Sequence, residues 1–106
     1  MKKENTMPEN EAAQPVQIHI RVDGHVQGVG FRYFVYDFAQ SRALAGWVRN
    51  RHNGEVEIMA EGSRSNLEDL LTHVRRGPSR SMVTDVKFDW SEASQLYDKF
   101  SLLPTD

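Results

Sequence analysis

Three glycines, Gly24, Gly28 and Gly30, fall within seven residues of the run Gly24-His25-Val26-Gln27-Gly28-Val29-Gly30-Phe31-Arg32. The run follows an alternating, strand-like stretch and leads directly into a helical pattern. Glycines at such a junction let the backbone curl so that successive N–H groups converge on one small concavity. Placed just before a helix N-terminus, that concavity suits an anion. Arg32 adds a permanently charged fork that matches two phosphate oxygens at once. Residues Gly24, His25, Val26, Gln27, Gly28, Val29 and Gly30, with Arg32, are therefore a candidate phosphate cradle with its own cation. The competing reading is a glycine-rich turn that binds nothing, with Arg32 solvated at its edge.

The rest of the chain limits what could be done to a phosphoryl group held there. With no cysteine, a thiophosphate intermediate and a thiolate metal site are both excluded. No Asp-rich run or His pair has the spacing of a two-metal site, so no metal is expected. His25 lies in the loop, but its side chain need not face an anion that the backbone cradles. What remains is a set of backbone amides, one guanidinium and an amide side chain able to position water. Such a set suffices only if the leaving group is already good. A phosphate monoester releases an alkoxide and ordinarily needs an acid or a metal. A mixed carboxylic–phosphoric anhydride releases a carboxylate, for which positioning and charge stabilisation are enough.

The elements that must position these residues are legible from periodicity. Val16 to Asp23 alternates Val16, Ile18, Ile20 and Val22 with Gln17, His19, Arg21 and Asp23, the pattern of a half-buried strand. His19 then points away from the core as a surface residue. Phe31, Phe34, Val35, Phe38 and Ala39 form a helical stripe ending near Arg42. Burial of Phe31 would fix the direction in which Arg32 projects. Leu44 to Arg51 and Glu55 to Glu61 read as two strands joined at His52-Asn53-Gly54, where Asn-Gly suits a tight turn with positive φ at both positions. Asn50, read from its position alone, is a polar strand-end residue. Ser63 or Ser65 can cap a second helix, and Ser65-Asn66-Leu67-Glu68 fits a capping box. Its apolar face is Leu67, Leu70, Leu71 and Val74, and Gly77-Pro78 stops it. Arg75 and Arg76 suit the negative end of that helix. Met82, Thr84, Val86, Phe88 and Trp90 alternate with Val83, Asp85, Lys87 and Asp89 in a further one-sided strand. A polar loop, Ser91 to Asp98, precedes a short strand around Lys99 to Leu103. The order predicts an α+β fold, a ferredoxin-like βαββαβ sandwich. Two helices cover one face of a largely antiparallel sheet with a short fifth strand.

Composition sets the remaining bounds. A chain of 106 residues, 39% hydrophobic and 26% charged, is of a size and make-up for one soluble domain. Residues 1–15 are polar and without period, and are expected to be a flexible leader outside a domain at 16–103. Net charge is −2, from 13 Lys+Arg against 15 Asp+Glu, which gives no bulk electrostatic grip on nucleic acid or anionic membrane. Strand faces carrying His19, Arg21, Glu55, Glu57 and Asp85 have few of the stacking aromatics of an RNA-recognition sheet beyond Trp47. No apolar run follows Lys2 and Lys3, so no signal peptide is expected. With no cysteine either, a reducing cytoplasm is the expectation; the protein is further expected to be a monomer acting on a small molecule.

The glycine run, together with Gly46-Trp47-Val48-Arg49-Asn50 and Asn53-Gly54-Glu55-Val56-Glu57, closely resembles the acylphosphatase family. The similarity extends through Ala60-Glu61-Gly62 and Arg75-Arg76-Gly77-Pro78, across about residues 16–103. The resemblance implies that the Gly24–Gly30 backbone binds phosphate and that Arg32 is the catalytic arginine. It implies that Asn50 is the catalytic asparagine that orients the attacking water. The implied activity is hydrolysis of an acyl phosphate to a carboxylate and inorganic phosphate, without metal, cofactor or covalent intermediate. The alternative is a non-catalytic acylphosphatase-like accessory module. Similar domains occur within larger, carbamoyl-phosphate-handling maturation proteins of hydrogenase assembly, but this chain lacks their further domains and zinc-type cysteines. Ala43 departs from the family, which commonly has glycine there. In a left-handed conformation alanine would cost on the order of 1 kcal/mol.

Overall fold

The computed structural model of the protein describes residues 14–106. Of the leader expected over residues 1–15, only Gln14 and Pro15 fall among the described residues. Strand β1 (Val16–His25) leads to helix α1 (Phe31–Ser41), then to β2 (Ala45–Asn50) and β3 (Val56–Gly62). Helix α2 (Arg64–Arg76), β4 (Met82–Glu92) and the short β5 (Phe100–Leu102) complete the chain. The sheet order is β4-β1-β3-β2-β5. All neighbours are antiparallel except β2 and β5, which run parallel.

This is the α+β sandwich that the periodicity predicts, and the alternation explains it. Ile18, Ile20 and Val22 of β1, Val48 of β2 and Val56, Ile58 and Ala60 of β3 are fully buried. They meet Phe31, Val35 and Ala39 of α1 and Leu67, Leu70 and Val74 of α2. Helix α1 packs over β2 and β5, and α2 over β1, β3 and β4. Both helices thus lie on one face, and the other face of the sheet carries the polar residues of the alternation.

Four local expectations are corrected. Ser63, not Ser65, caps α2, accepting a hydrogen bond from the Asn66 N–H at 3.2 Å. Asn53 does not adopt positive φ; only Gly54 does, at 97°. The turn is instead closed by Arg51 N–H donating to the Glu55 carbonyl at 2.8 Å. Asn53 Oδ1 accepts from Glu55 N–H at 3.0 Å. Such a side-chain bond to the backbone two residues on replaces the second left-handed residue. In β4 the alternation breaks, because the register with β1 shifts between Asp23 and Gly24. The extra residue turns Val83 inward beside Gly77 and leaves Met82 67% exposed. Finally, His19 is no plain surface residue. It is half-buried, with Nε2 lying 2.6 Å from Glu57 Oε2.

Candidate active site

The loop between β1 and α1 is pinned at both ends by the core. Val26 and Phe31 are each 1% exposed, so the four residues between them are held as an arch over the edge of the core. Within that arch Gly28 and Gly30 have φ values of 77° and 81°, and a β-carbon on either would meet only open space. Their requirement is therefore conformational, since a side-chain-bearing residue is strained at positive φ. Gly30 caps α1 with no side-chain hydrogen bond, so the first-turn amides are not taken by a capping side chain.

Arg32 stands in that first turn, half-buried beside the fully buried Phe31. Its Nη1 donates to the Leu103 carbonyl at 3.3 Å. Among the described residues it pairs with no carboxylate, whereas Arg42 pairs with Asp69 and both Arg49 and Arg51 pair with Glu57. A guanidinium has five N–H donors, so most of this one's capacity is left for an anion.

Asn50 is the last residue of β2. It shares the parity of the buried Gly46 and Val48, which places it on the helix-facing side at the strand end. There it lines a hollow of about 220 Å³ with Val26, Gly28, Gly30, Phe31, Arg32 and Tyr33. Among the described residues no hydrogen bond occupies its side-chain amide. Its main chain is held, because Asp106 N–H donates to the Asn50 carbonyl at 3.0 Å. Two residues 18 apart in the chain are thus brought to one hollow by an arch on one element and a strand end on another.

Gly24, His25, Gln27 and Val29 do not line that hollow. Gly24 and His25 pair with Val83 and Met82 of β4. At Gly24, where φ is 130°, a β-carbon would collide with the Met82 carbonyl. This glycine permits the close approach of two strands. Val29 packs against the core. The Gln27 side chain turns away to the β2–β3 turn, donating from Nε2 to the Arg51 carbonyl at 2.7 Å and the Glu55 carbonyl at 2.9 Å. Tyr33 and the Leu103 carbonyl, which join the site, carry no signal in the sequence. Leu103 meets Arg32 across 71 positions of chain.

On the opposite face of the sheet, behind Asn50, Glu57 is 6% exposed and anchors a cluster of charge. Burial alone would raise its pKa. Hydrogen bonds from His19, Arg49 and Arg51 outweigh that and lower it to about 2. Arg49 also reaches Asp106 Oδ2 at 2.8 Å, and Arg51 Nε donates to the Asp106 carbonyl at 3.1 Å. The cluster thus holds the segment that pairs with Asn50. A larger hollow, about 670 Å³, lies at the other end of β1 among residues including Gln14, Arg64 and Glu92, and holds none of the candidate residues. Among the described residues no group of three or more His, Cys, Asp or Glu is placed to hold a metal ion.

The family model for acylphosphatase matches residues 18–102. The chain belongs to the acylphosphatase family. The acylphosphatase of Bacillus subtilis strain 168 is 47% identical over 88 residues, covering 83% of this chain and 97% of that protein. That of Chlorobaculum tepidum is 44% identical over 82% of this chain and 95% of its own length. The crystal structure of acylphosphatase from Bacillus subtilis superposes with a TM-score of 0.80 at 46% identity, covering 83% of this chain and 98% of that one. Full-length HypF, in its phosphate- and nucleotide-bound form, superposes with a TM-score of 0.79 at 30% identity. That match covers 88% of this chain but 12% of HypF. The acylphosphatase relatives are matched over nearly their whole length, and the activity of the chain is that of an acylphosphatase hydrolase. No helix among the described residues is long and apolar enough to cross a membrane.

Proposed function

We propose that this acylphosphatase holds the phosphoryl group of its substrate on the amides of the loop between β1 and α1, residues 26–30, and the Arg32 guanidinium, while Asn50 orients the attacking water. The observation that carries the reading is the shared hollow. Arg32, Asn50, Gly28 and Gly30 line one space, and the donors of both side chains remain largely unused. The water oxygen forms a bond to phosphorus as the bond from phosphorus to the acyl oxygen breaks. The carboxylate departs with the electron pair, and the proton released by water ends on the phosphate product. Charge developing on the equatorial oxygens is met by the guanidinium and the loop amides, which are already in place and need no reorganisation. Because the leaving carboxylate needs no proton, the site requires no general acid. No step in this route uses a metal or cofactor.

The test is an assay of the purified protein with benzoyl phosphate in excess EDTA, following release of benzoate and inorganic phosphate. Sustained turnover is expected, and loss of turnover on chelation would overturn the metal-free route. The second reading, an accessory module, is favoured by the similarity to one part of HypF. Capture of one stoichiometric partner by a protein without turnover would support it. A cytoplasmic monomer remains the working expectation for the enzyme, checked by sedimentation and by fractionation of cells.

A further inference from the structure

The geometry points to Gln27 as a positioning residue whose side chain sets the separation between the phosphate-holding loop and Asn50; this rests on the functional reading above. Its Nε2 carries two N–H donors, and both are spent on carbonyls of the β2–β3 turn, Arg51 at 2.7 Å and Glu55 at 2.9 Å. Those carbonyls belong to the residues that close the hairpin, since Arg51 N–H donates to the Glu55 carbonyl at 2.8 Å. Arg51 directly follows Asn50. Among the described residues, these are the only side-chain hydrogen bonds that residues 26–30 make. The arch is otherwise held by Val26, Val29 and Phe31, which pack it against the core.

The reaction divides its tasks between these two elements. The loop and Arg32 would grip phosphorus, and Asn50 on β2 would aim the water. Phosphate affinity would depend on groups within the arch and the first turn of α1, which are consecutive in the chain. In-line attack depends on the placement of the arch relative to β2, and Gln27 spans that junction. Loosening it should therefore lower kcat while leaving the grip on phosphate in place.

Gln27→Leu removes both donors at similar volume. Its kcat on benzoyl phosphate is expected to fall roughly tenfold to a hundredfold, the scale of a misplaced reacting group. The competitive inhibition constant of inorganic phosphate should stay within about twofold. In Gln27→Glu a carboxylate faces two carbonyl oxygens. It should lose at least as much near neutral pH and recover in part at acid pH, as protonation restores one donor. Gln27→Asn keeps the amide without the reach, should show the same split, and serves if the leucine variant does not fold. An unchanged kcat with a lowered melting temperature would overturn the inference, leaving Gln27 as a structural staple. So would a phosphate inhibition constant that rises in step with the fall in kcat. Absence of turnover in the unmodified enzyme would instead overturn the functional reading itself.

Discussion

Arg32 and Asn50 differ in what their loss should do, because one would bind the anion and the other would act on the water. Arg32→Ala is expected to abolish most turnover and to weaken inhibition by phosphate. Asn50→Ala is expected to lower kcat with phosphate inhibition largely retained. Each should cost roughly 2.7–4 kcal/mol in the barrier, the scale measured for removal of one preorganised donor. Arg32→Lys should not restore the activity, since a point charge cannot make the paired contact of a planar fork. Steady-state kinetics with phosphate as a competitive inhibitor separate these outcomes. Equal loss of phosphate inhibition in both variants would contradict the assignment of roles.

At the scale of the element, two backbone positions near the ends of β1 and α1 carry opposite expectations. Ala43 sits at φ 55°, the left-handed conformation in which a β-carbon crowds the backbone. Ala43→Gly should stabilise the protein by about 1 kcal/mol and raise the melting temperature by about 4 °C, with kcat unchanged. Gly24 is the reverse case, because a β-carbon there runs into the Met82 carbonyl of β4. Gly24→Ala must force β1 and β4 apart at the shift in register that precedes the loop. It should lower the melting temperature by more than the Ala43 change raises it. Both effects are read by thermal unfolding, and a stabilised Gly24→Ala variant would show that the strand junction is not as close as described.

Across the whole molecule, the charged face of the sheet predicts how stability depends on pH. Glu57 titrates at about 2 in the folded protein against an ordinary value of 4.5. A depressed folded pKa means that its stabilising contribution is complete above about pH 4.5 and is lost as pH falls towards 2. The shift corresponds to roughly 3 kcal/mol. Denaturant unfolding should therefore show stability falling steeply through that acid window. Glu57→Gln should flatten the slope while lowering stability near neutral pH, because it leaves Arg49 and Arg51 without their buried carboxylate. Glu61 adds in the same direction. Burial opposes its ionisation, but hydrogen bonds from Ser94, Gln17 and Gln95 hold its pKa below the usual value. It thereby fastens the β4–β5 connection to the sheet.

Local pattern determined the elements and marked the glycine run with Arg32, whereas Asn50 was singled out by the resemblance to the acylphosphatase family. Alternation in Val16–Val22 and the stripe from Phe31 to Ala39 each express one face buried in a shared core, and that face is written in every second or every third to fourth residue. The glycine run marked the arch, because positive φ at Gly28 and Gly30 is a local requirement that glycine meets. What local pattern does not contain is the pairing of distant groups. Ile20 beside Ile58 follows from burial, but the shift of register at Asp23 and Gly24 that turned Val83 inward depends on how β4 meets β1. The task of the Gln27 amide, the Leu103 carbonyl beside Arg32 and the hold of Asp106 on Asn50 were decided only by tertiary structure. Polar contacts of that kind are set by the closed sheet, which brings a loop, a strand end and the last residues of the chain to one corner, and no periodicity records them.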